Sequence, residues 1–312
     1  MPTLFTIGVA SVRGFGLFGG GSSLGQRAIF GYGLTGTYVS MTNIVSSIGV
    51  VSTDTTGVGT ARYGSAAAGY GTEKAIFGYG NNGTYLSMTN LVSNSGVVAT
   101  DTTGVGTARV GLSATGYGAD KAIFGYGNNG SQASMTNLVS NTGVVATDTT
   151  GVGTQRDYTA AARYSTDKAI FGYGNLGFGT YTSLTNLVSN TGVVSTDTTG
   201  VGTARGYLAA ARYSTDKAIF GYGYNASGEL SMTNLVSNTG VVSSNTTGVG
   251  TIRHALAATG YGDDKAIFGY GDSGGGTSVS MTNLVSNTGV VSTDTTGVGT
   301  ARQHPSAASY GA

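Results

Sequence analysis

Apolar residues along this chain come in short runs of β-formers bounded by Gly, Asn, Ser and Thr. No window repeats its apolar positions every 3.6 residues between caps, so the pattern predicts strands and no helix. The stretch around Lys74 is representative. Ala66-Ala67-Ala68-Gly69-Tyr70 reads as a first strand, followed by a short turn through Thr72-Glu73. Ala75-Ile76-Phe77-Gly78-Tyr79 reads as a second strand, and a loop leads to a third, Met88-Thr89-Asn90-Leu91-Val92-Ser93. Asn94-Ser95-Gly96 supplies a tight turn. A fourth strand starts at Val97-Val98 and runs toward Arg109. Short strands joined by short turns predict a four-stranded antiparallel meander.

This pattern recurs almost unchanged. The heptapeptide Lys-Ala-Ile-Phe-Gly-Tyr-Gly starts at Lys74, Lys121, Lys168, Lys217 and Lys265, with an Arg version at Arg27. A second block after each copy ends at Arg62, Arg109, Arg156, Arg205, Arg253 and Arg302, and Arg13 holds an equivalent place before the first heptapeptide. Six units fill nearly the whole chain, with no linker dividing it. One meander cannot bury both faces. Radial stacking gives every sheet two neighbours, and a closed ring leaves only short edges. The repeat length suits a propeller blade. The expected fold is therefore all-β, a six-bladed β-propeller of four-stranded antiparallel blades, with the Ile and Phe of each second strand forming the core between blades. The first strand occurs seven times and the second six times, so one end carries a surplus strand that can close the ring. Residues 1–13 are expected to be an N-terminal arm or closing strand, and residues 14–312 the propeller.

The order of arginine, small apolar strand, acidic turn, Ile-Phe-Gly-Tyr-Gly, variable loop, strand, Asp-containing strand and arginine resembles the kelch repeat of galactose-oxidase-like propellers. The resemblance spans roughly Arg13 to Arg302. The kelch Gly-Gly doublet is replaced here by Gly-Tyr-Gly, and its tryptophan is missing. The near-identical, weakly charged repeats also look like those of bacteriophage or environmental virus-particle proteins.

Composition narrows the chemistry. Charged residues make up 9% of the chain and the net charge is +1, so no clustered basic field exists to hold nucleic acid. The absence of cysteine excludes disulfides, thiol catalysis and Cys-ligated metals. Two histidines, His254 and His304, in dissimilar local contexts give no catalytic-triad signal and read as polar loop residues. No apolar run approaches the ~20 residues of a membrane-spanning helix. No secretion signal is expected at the N-terminus. The glycine-rich Gly-Tyr-Gly and Gly-Val-Gly segments precede no helix and so do not form a phosphate loop. The repeated Asp54, Asp101, Asp148, Asp197 and Asp294, with Asn245 in the fifth copy, offer too few oxygens for calcium and read as Asx-type turns. The repeated arginine reads as the partner of an aspartate in its own or the adjacent blade, its stem covering apolar surface.

Comparing the six copies with each other locates their differences. Variation falls in the loop between second and third strands and in the segment after the arginine, such as Tyr63-Gly64-Ser65 or Gln303-His304-Pro305. In an alternating meander both lie at one end, which predicts a single variable face on a rigid scaffold. The candidate ligand-binding residues there are Tyr38, Asn81, Asn82, Tyr85, Asn128, Asn129, Phe178, Tyr181, Tyr224, Asn225, Glu229 and Asp272. Aromatic rings with amides and carboxylates suit a neutral sugar. Relaxed constraint on solvent loops would produce the same variation.

These readings predict a non-enzymatic virion protein, a phage tail or fibre part with structural or adhesive function, presenting its variable face to host-surface glycans. The expected partners are other virion proteins or further copies of the chain. No cofactor, metal, nucleic acid or membrane insertion is expected. The alternatives are an intracellular kelch-type interaction scaffold and a carbohydrate-active enzyme, and the alternative locations to the extracellular virion are the cell surface and the cytoplasm. The enzyme would need a close carboxylate pair, for which Glu229 and Asp272 are the loop candidates.

Overall fold

The structure is a computed structural model that describes residues 26–311. Eighteen strands and no helix occur among the described residues, grouped into six three-stranded antiparallel sheets. Their chain order is β1 (Arg27–Leu34), β2 (Tyr38–Val45), β3 (Ala66–Tyr70), β4 (Lys74–Asn81), β5 (Tyr85–Val92), β6 (Ser113–Tyr117), β7 (Lys121–Gly125), β8 (Thr136–Val139) and β9 (Ala160–Tyr164). There follow β10 (Lys168–Gly177), β11 (Thr180–Val188), β12 (Ala209–Tyr213), β13 (Lys217–Asn225), β14 (Gly228–Val236), β15 (Ala257–Tyr261), β16 (Lys265–Gly269), β17 (Thr282–Val285) and β18 (Ser306–Tyr310). Five sheets are consecutive triplets beginning at β3. The sixth runs β18-β1-β2, so the C-terminal strand completes the sheet that the first described strands begin. The surplus strand of the sequence thus closes the ring from the C-terminal end. The expected N-terminal arm, residues 1–13, lies outside the described residues.

Three strands form each sheet where four were expected. The segment after the Asn-x-Gly turn makes only isolated bridges to the third strand, Val45↔Val51 and Thr42↔Thr55 in the first unit and their equivalents in every other. Its Thr-, Ser- and Asp-rich sequence gives that segment little apolar surface with which to pack.

The inner strands β3, β6, β9, β12, β15 and β18 each neighbour the next, and β18 neighbours β3, giving a closed, propeller-like cycle. Backbone bonds stitch the cycle at the turns: Gly71 N donates to Asp120 O, Gly118 N to Asp167 O, Ser165 N to Asp216 O and Ser214 N to Asp264 O. The core lies between sheets. Ile29 and Tyr32 pack with Phe77 of the next sheet, whereas Phe30 packs with Ile267 and Tyr270 of the preceding one. Each burial of such a side chain stabilises by about 1.5–3 kcal/mol.

Simple alternation would put Phe30 and Tyr32 on the same side. A bulge between Gly31 and Gly33, with Tyr32 at a φ of 63°, turns the tyrosine to the opposite face. The six equivalent tyrosines, Tyr32, Tyr79, Tyr126, Tyr173, Tyr222 and Tyr270, all adopt φ of 60–64°. A left-handed tyrosine costs about 1–3 kcal/mol, and burial of its ring offsets that cost. Glycine before it is required by close approach: a Cβ on Gly125 would lie 2.8 Å from Cζ of Phe171.

Candidate functional site

Both variable segments meet at one end of the sheets. Antiparallel bridges join Tyr63 to Asn81, Val110 to Asn128, Asp157 to Asn175, Gly206 to Tyr224 and His254 to Asp272. The constant turns share the other end, where Asn141 Nδ2 donates to Asp120 Oδ2 and Asn287 Nδ2 to Asp264 Oδ2. The variable face therefore exists as a continuous surface.

At its centre the segments after the arginines close a ring of backbone hydrogen bonds. Gly111 N donates to Gly64 O, Tyr158 N to Gly111 O, Tyr207 N to Tyr158 O, Ala255 N to Tyr207 O, His304 N to Ala255 O and Gly64 N to His304 O. All six donors have left-handed backbones, with φ from 47° to 64°. Beneath them lies a cavity of about 100 Å³ lined by Leu112, Leu208, Leu256 and Pro305.

The side chains above this ring form a connected aromatic track. Tyr38 stacks on Tyr63 at 5.7 Å between ring centroids, and Tyr63 meets His304 at 5.5 Å. His304 lies 5.6 Å from Tyr158 and 5.9 Å from Tyr207, which stack on each other at 3.9 Å. The track continues from Tyr207 to His254, then Tyr224 and Tyr181. Burial, with His254 nearby, pushes the His304 imidazole down to about 4. Burial raises the Tyr158 and Tyr207 phenols far above their ordinary value. The centre of the face therefore carries neutral rings near neutral pH.

The sequence-predicted residues divide into groups. Tyr224, Glu229 and Asp272 converge around His254, and Tyr181 joins the group through Tyr224. Glu229 Oε1 is 3.6 Å from His254 Nδ1, and Asp272 is buried beside it with Oδ1 accepting from Gly274 N at 2.7 Å. Burial holds the His254 imidazole below its ordinary value, although Asp272 and Glu229 pull it upward. Tyr85 joins Asn128 of the next unit through its hydroxyl at 3.4 Å. Tyr38 belongs to the aromatic track but is distant in chain order from the His254 group. The remaining asparagines mainly hold turns: Oδ1 of Asn81 accepts from Gly83 N, of Asn82 from Thr84 Oγ1, and of Asn225 from Ser227 N. Asn129 closes its loop through its backbone, donating N–H to Ser131 O. Phe178 stands fully exposed at a loop tip.

Several residues of the face were not among the sequence candidates. Tyr63, Tyr158 and Tyr207 follow the repeated arginine, where the copies differ, and that variation was the signal that marks them. The two histidines are correspondingly not plain polar loop residues, since both sit within the ring network. Asp157 is buried, with Oδ2 accepting from Asn128 Nδ2 at 2.9 Å and Oδ1 lacking any hydrogen-bond partner. Burial raises its carboxyl above the usual range against the pull of Asn128, Asn175 and Gln132.

The repeated Arg and Asp proved to be scaffold, in a form that local turn chemistry does not announce. Asp101 accepts from Thr60 N and Thr60 Oγ1 of the preceding unit, so it clamps neighbouring sheets and does not form an Asx turn within its own unit. Asn245 makes the matching pair with Thr203. Arg109 is wholly buried. Its guanidinium donates to Asn137 Oδ1 at 2.6 Å, Tyr126 O at 2.8 Å and Thr107 O at 3.0 Å, and lies 4.4 Å from the centroid of Tyr79. Asp148 is 3.9 Å away, an ion pair across the sheet boundary. Burial disfavours the charged form of Asp148, but hydrogen bonds from Thr107 and Asn137 and the charge of Arg109 outweigh it and hold the carboxyl below its usual value.

Among the described residues no group of three or more His, Cys, Asp or Glu is placed to hold a metal ion, and no helix is long and apolar enough to cross a membrane. Against known proteins, the sequence matches no family model and no curated protein.

Proposed function

We propose that this protein is a non-enzymatic structural or adhesion component of a virus particle, of the phage tail or fibre type, that presents its variable face to neutral glycans on a host surface. In this reading the fold is a kelch-like six-bladed propeller, the bridged outer segment of each unit serving as the fourth strand. The partners are other particle proteins or further copies of the chain. The observation that carries the binding reading is the aromatic track from Tyr38 to Tyr181, bordered by Asn128 and Glu229. Ring faces pack against the C–H faces of a sugar, and the amides and carboxylates match its hydroxyls. A chain with only 9% charged residues binds with little dependence on salt, which suits a particle in open water. Repeated display would convert weak single-site affinity into avidity.

A glycan array probed with the purified protein tests this. Binding to neutral glycans that falls at least about tenfold in Tyr181→Ala/Tyr224→Ala supports it. An array with no glycan bound, or binding untouched by that variant, refutes it. The cluster of Glu229, His254 and Asp272 favours one second reading, a carbohydrate-active enzyme. Release of shorter oligosaccharides from an array-positive glycan, abolished in Glu229→Gln, would select that reading.

A further inference from the structure

The inner strands enclose an axial channel of about 280 Å³, large against the ~10–15 Å³ needed to seat one water. Its wall is mostly alanine and glycine. The fourth residue of each inner strand is Gly69, Gly116, Arg163, Arg212, Gly260 or Ser309. These six positions stack around the axis: a Cβ on Gly116 would lie 3.4 Å from Gly69 O, and one on Gly260 would lie 3.2 Å from Arg212 O. Arg163 on β9 and Arg212 on β12 are therefore neighbours at one level of the channel, where the other four units carry nothing larger than serine.

Their hydrogen-bonding needs are not met among the described residues. Arg163 Nε is buried without a partner, and Arg212 Nε makes one long bond, 3.3 Å to Ser214 O. Neither guanidinium has a carboxylate within 4 Å among the described residues, and the first 25 residues contain no Asp or Glu. Arg109 shows the contrast, since its guanidinium is held by an amide oxygen, by two carbonyls and by a tyrosine ring, and even Arg62, whose Nε lacks a partner, keeps Asn90 Oδ1, Thr60 O and the Tyr32 ring. Arginine cannot shed its proton to relieve the repulsion. Burial and the charge of Arg212 both act against the charged form of Arg163, with Asp167 the opposing influence. An anion between the two forks removes both problems at once.

We infer that the axial channel is a binding site for a small divalent oxyanion, a phosphate or sulfate group, held by Arg163 and Arg212. The ring of backbone hydrogen bonds closes the variable-face end of the axis, so the ligand enters from the constant-turn end, past Lys74, Lys121 and Lys265. Charge at the mouth is mixed, with Asp120 and Asp263 lining it beside the lysines and Lys265 Nζ paired with Asp264 Oδ1 at 2.7 Å, so recognition of the anion rests on the two arginines.

Calorimetry and thermal melting of the full chain in inorganic phosphate, against sodium chloride of equal ionic strength, test the site. Wild-type protein should bind one phosphate per chain and gain a saturating rise in melting temperature absent in chloride. Arg163→Gly/Arg212→Gly installs the residue three other units already carry, and should weaken phosphate binding at least about tenfold while keeping a cooperative melt. If that variant fails to fold, Arg163→Gln/Arg212→Gln replaces it with the same expectation. A parallel titration with glucose 6-phosphate identifies the source: tighter binding than inorganic phosphate assigns a phosphate monoester, weaker binding a free ion. Absence of a phosphate-specific effect in the wild type, or an equal effect in the double variant, overturns the proposal.

Discussion

Acidification should weaken this protein through His304. The imidazole sits against Tyr63, Tyr158 and Tyr207 and its backbone belongs to the axial amide ring, so the folded state holds it neutral, with its ordinary value of 6.5 lowered to about 4. Between those two values the unfolded chain binds a proton that the folded chain does not, and stability falls as pH falls. Above pH 6.5 the effect vanishes, and below about 4 it is complete. Two and a half pH units at about 1.4 kcal/mol each give a full loss of roughly 3 kcal/mol, of which about 2 kcal/mol is present by pH 5. The assay is urea unfolding at pH 7, 6 and 5, with wild type compared to His304→Gly. Glycine is the residue at the equivalent Gly64 and Gly111, where the same left-handed backbone occurs. Other groups titrate in both proteins: His254 adds loss of the same sign, and Asp157, whose carboxyl is raised, acts in the opposite direction. The difference between the two proteins isolates His304. Parallel pH dependences, with no growing gap between pH 7 and 5, would refute a neutral buried imidazole.

Other perturbations separate scaffold from surface. Arg109→Ala leaves Asn137 and two carbonyls without a donor in a buried site, and should cost about 3–5 kcal/mol in urea unfolding. Asp148→Asn should cost less than about 1 kcal/mol, because the pair is exposed on the acid side and Asn245 already serves the fifth unit, so a loss as large as that of Arg109→Ala would contradict this division of roles. Gly125→Ala places a methyl against the Phe171 ring and should destabilise by about 1–3 kcal/mol, and an unchanged urea midpoint would deny the tight contact. Truncation after Arg302 removes β18, leaves the β1 edge unpaired and should drive the chain into oligomers or aggregate larger than the full-length species on size-exclusion chromatography. A truncated chain that keeps the full-length elution volume and unfolding midpoint would exclude closure by the C-terminal strand.

Local and periodic features were legible from the residues alone. The heptapeptide and its alternating neighbours specify the first, second and third strands of every unit, because strand pattern and turn chemistry act over a few residues. Six copies with divergent segments at two fixed places also specify a single variable face, because strand direction alternates in a meander. Whatever depends on two units meeting came from the folded ring. Nothing in the order of residues says that the C-terminal strand closes the ring, that Tyr32 is flipped by a bulge onto its neighbour's Phe77, or that Asp101 accepts from Thr60 of the unit before it. The outer segment is instructive: its Val-Val start reads as β, yet both that start and the Thr-, Ser- and Asp-rich remainder pair with the third strand through isolated bridges and not a continuous ladder. Tyr63, Tyr158, Tyr207, His254 and His304 are scattered over five units and form one surface only because the cycle brings equivalent positions to its axis. Arg163 and Arg212 become neighbours for the same reason. Periodicity fixes what each unit is, whereas closure of the ring fixes which side chains of different units share an environment, and burial, charge and chemistry follow from the second.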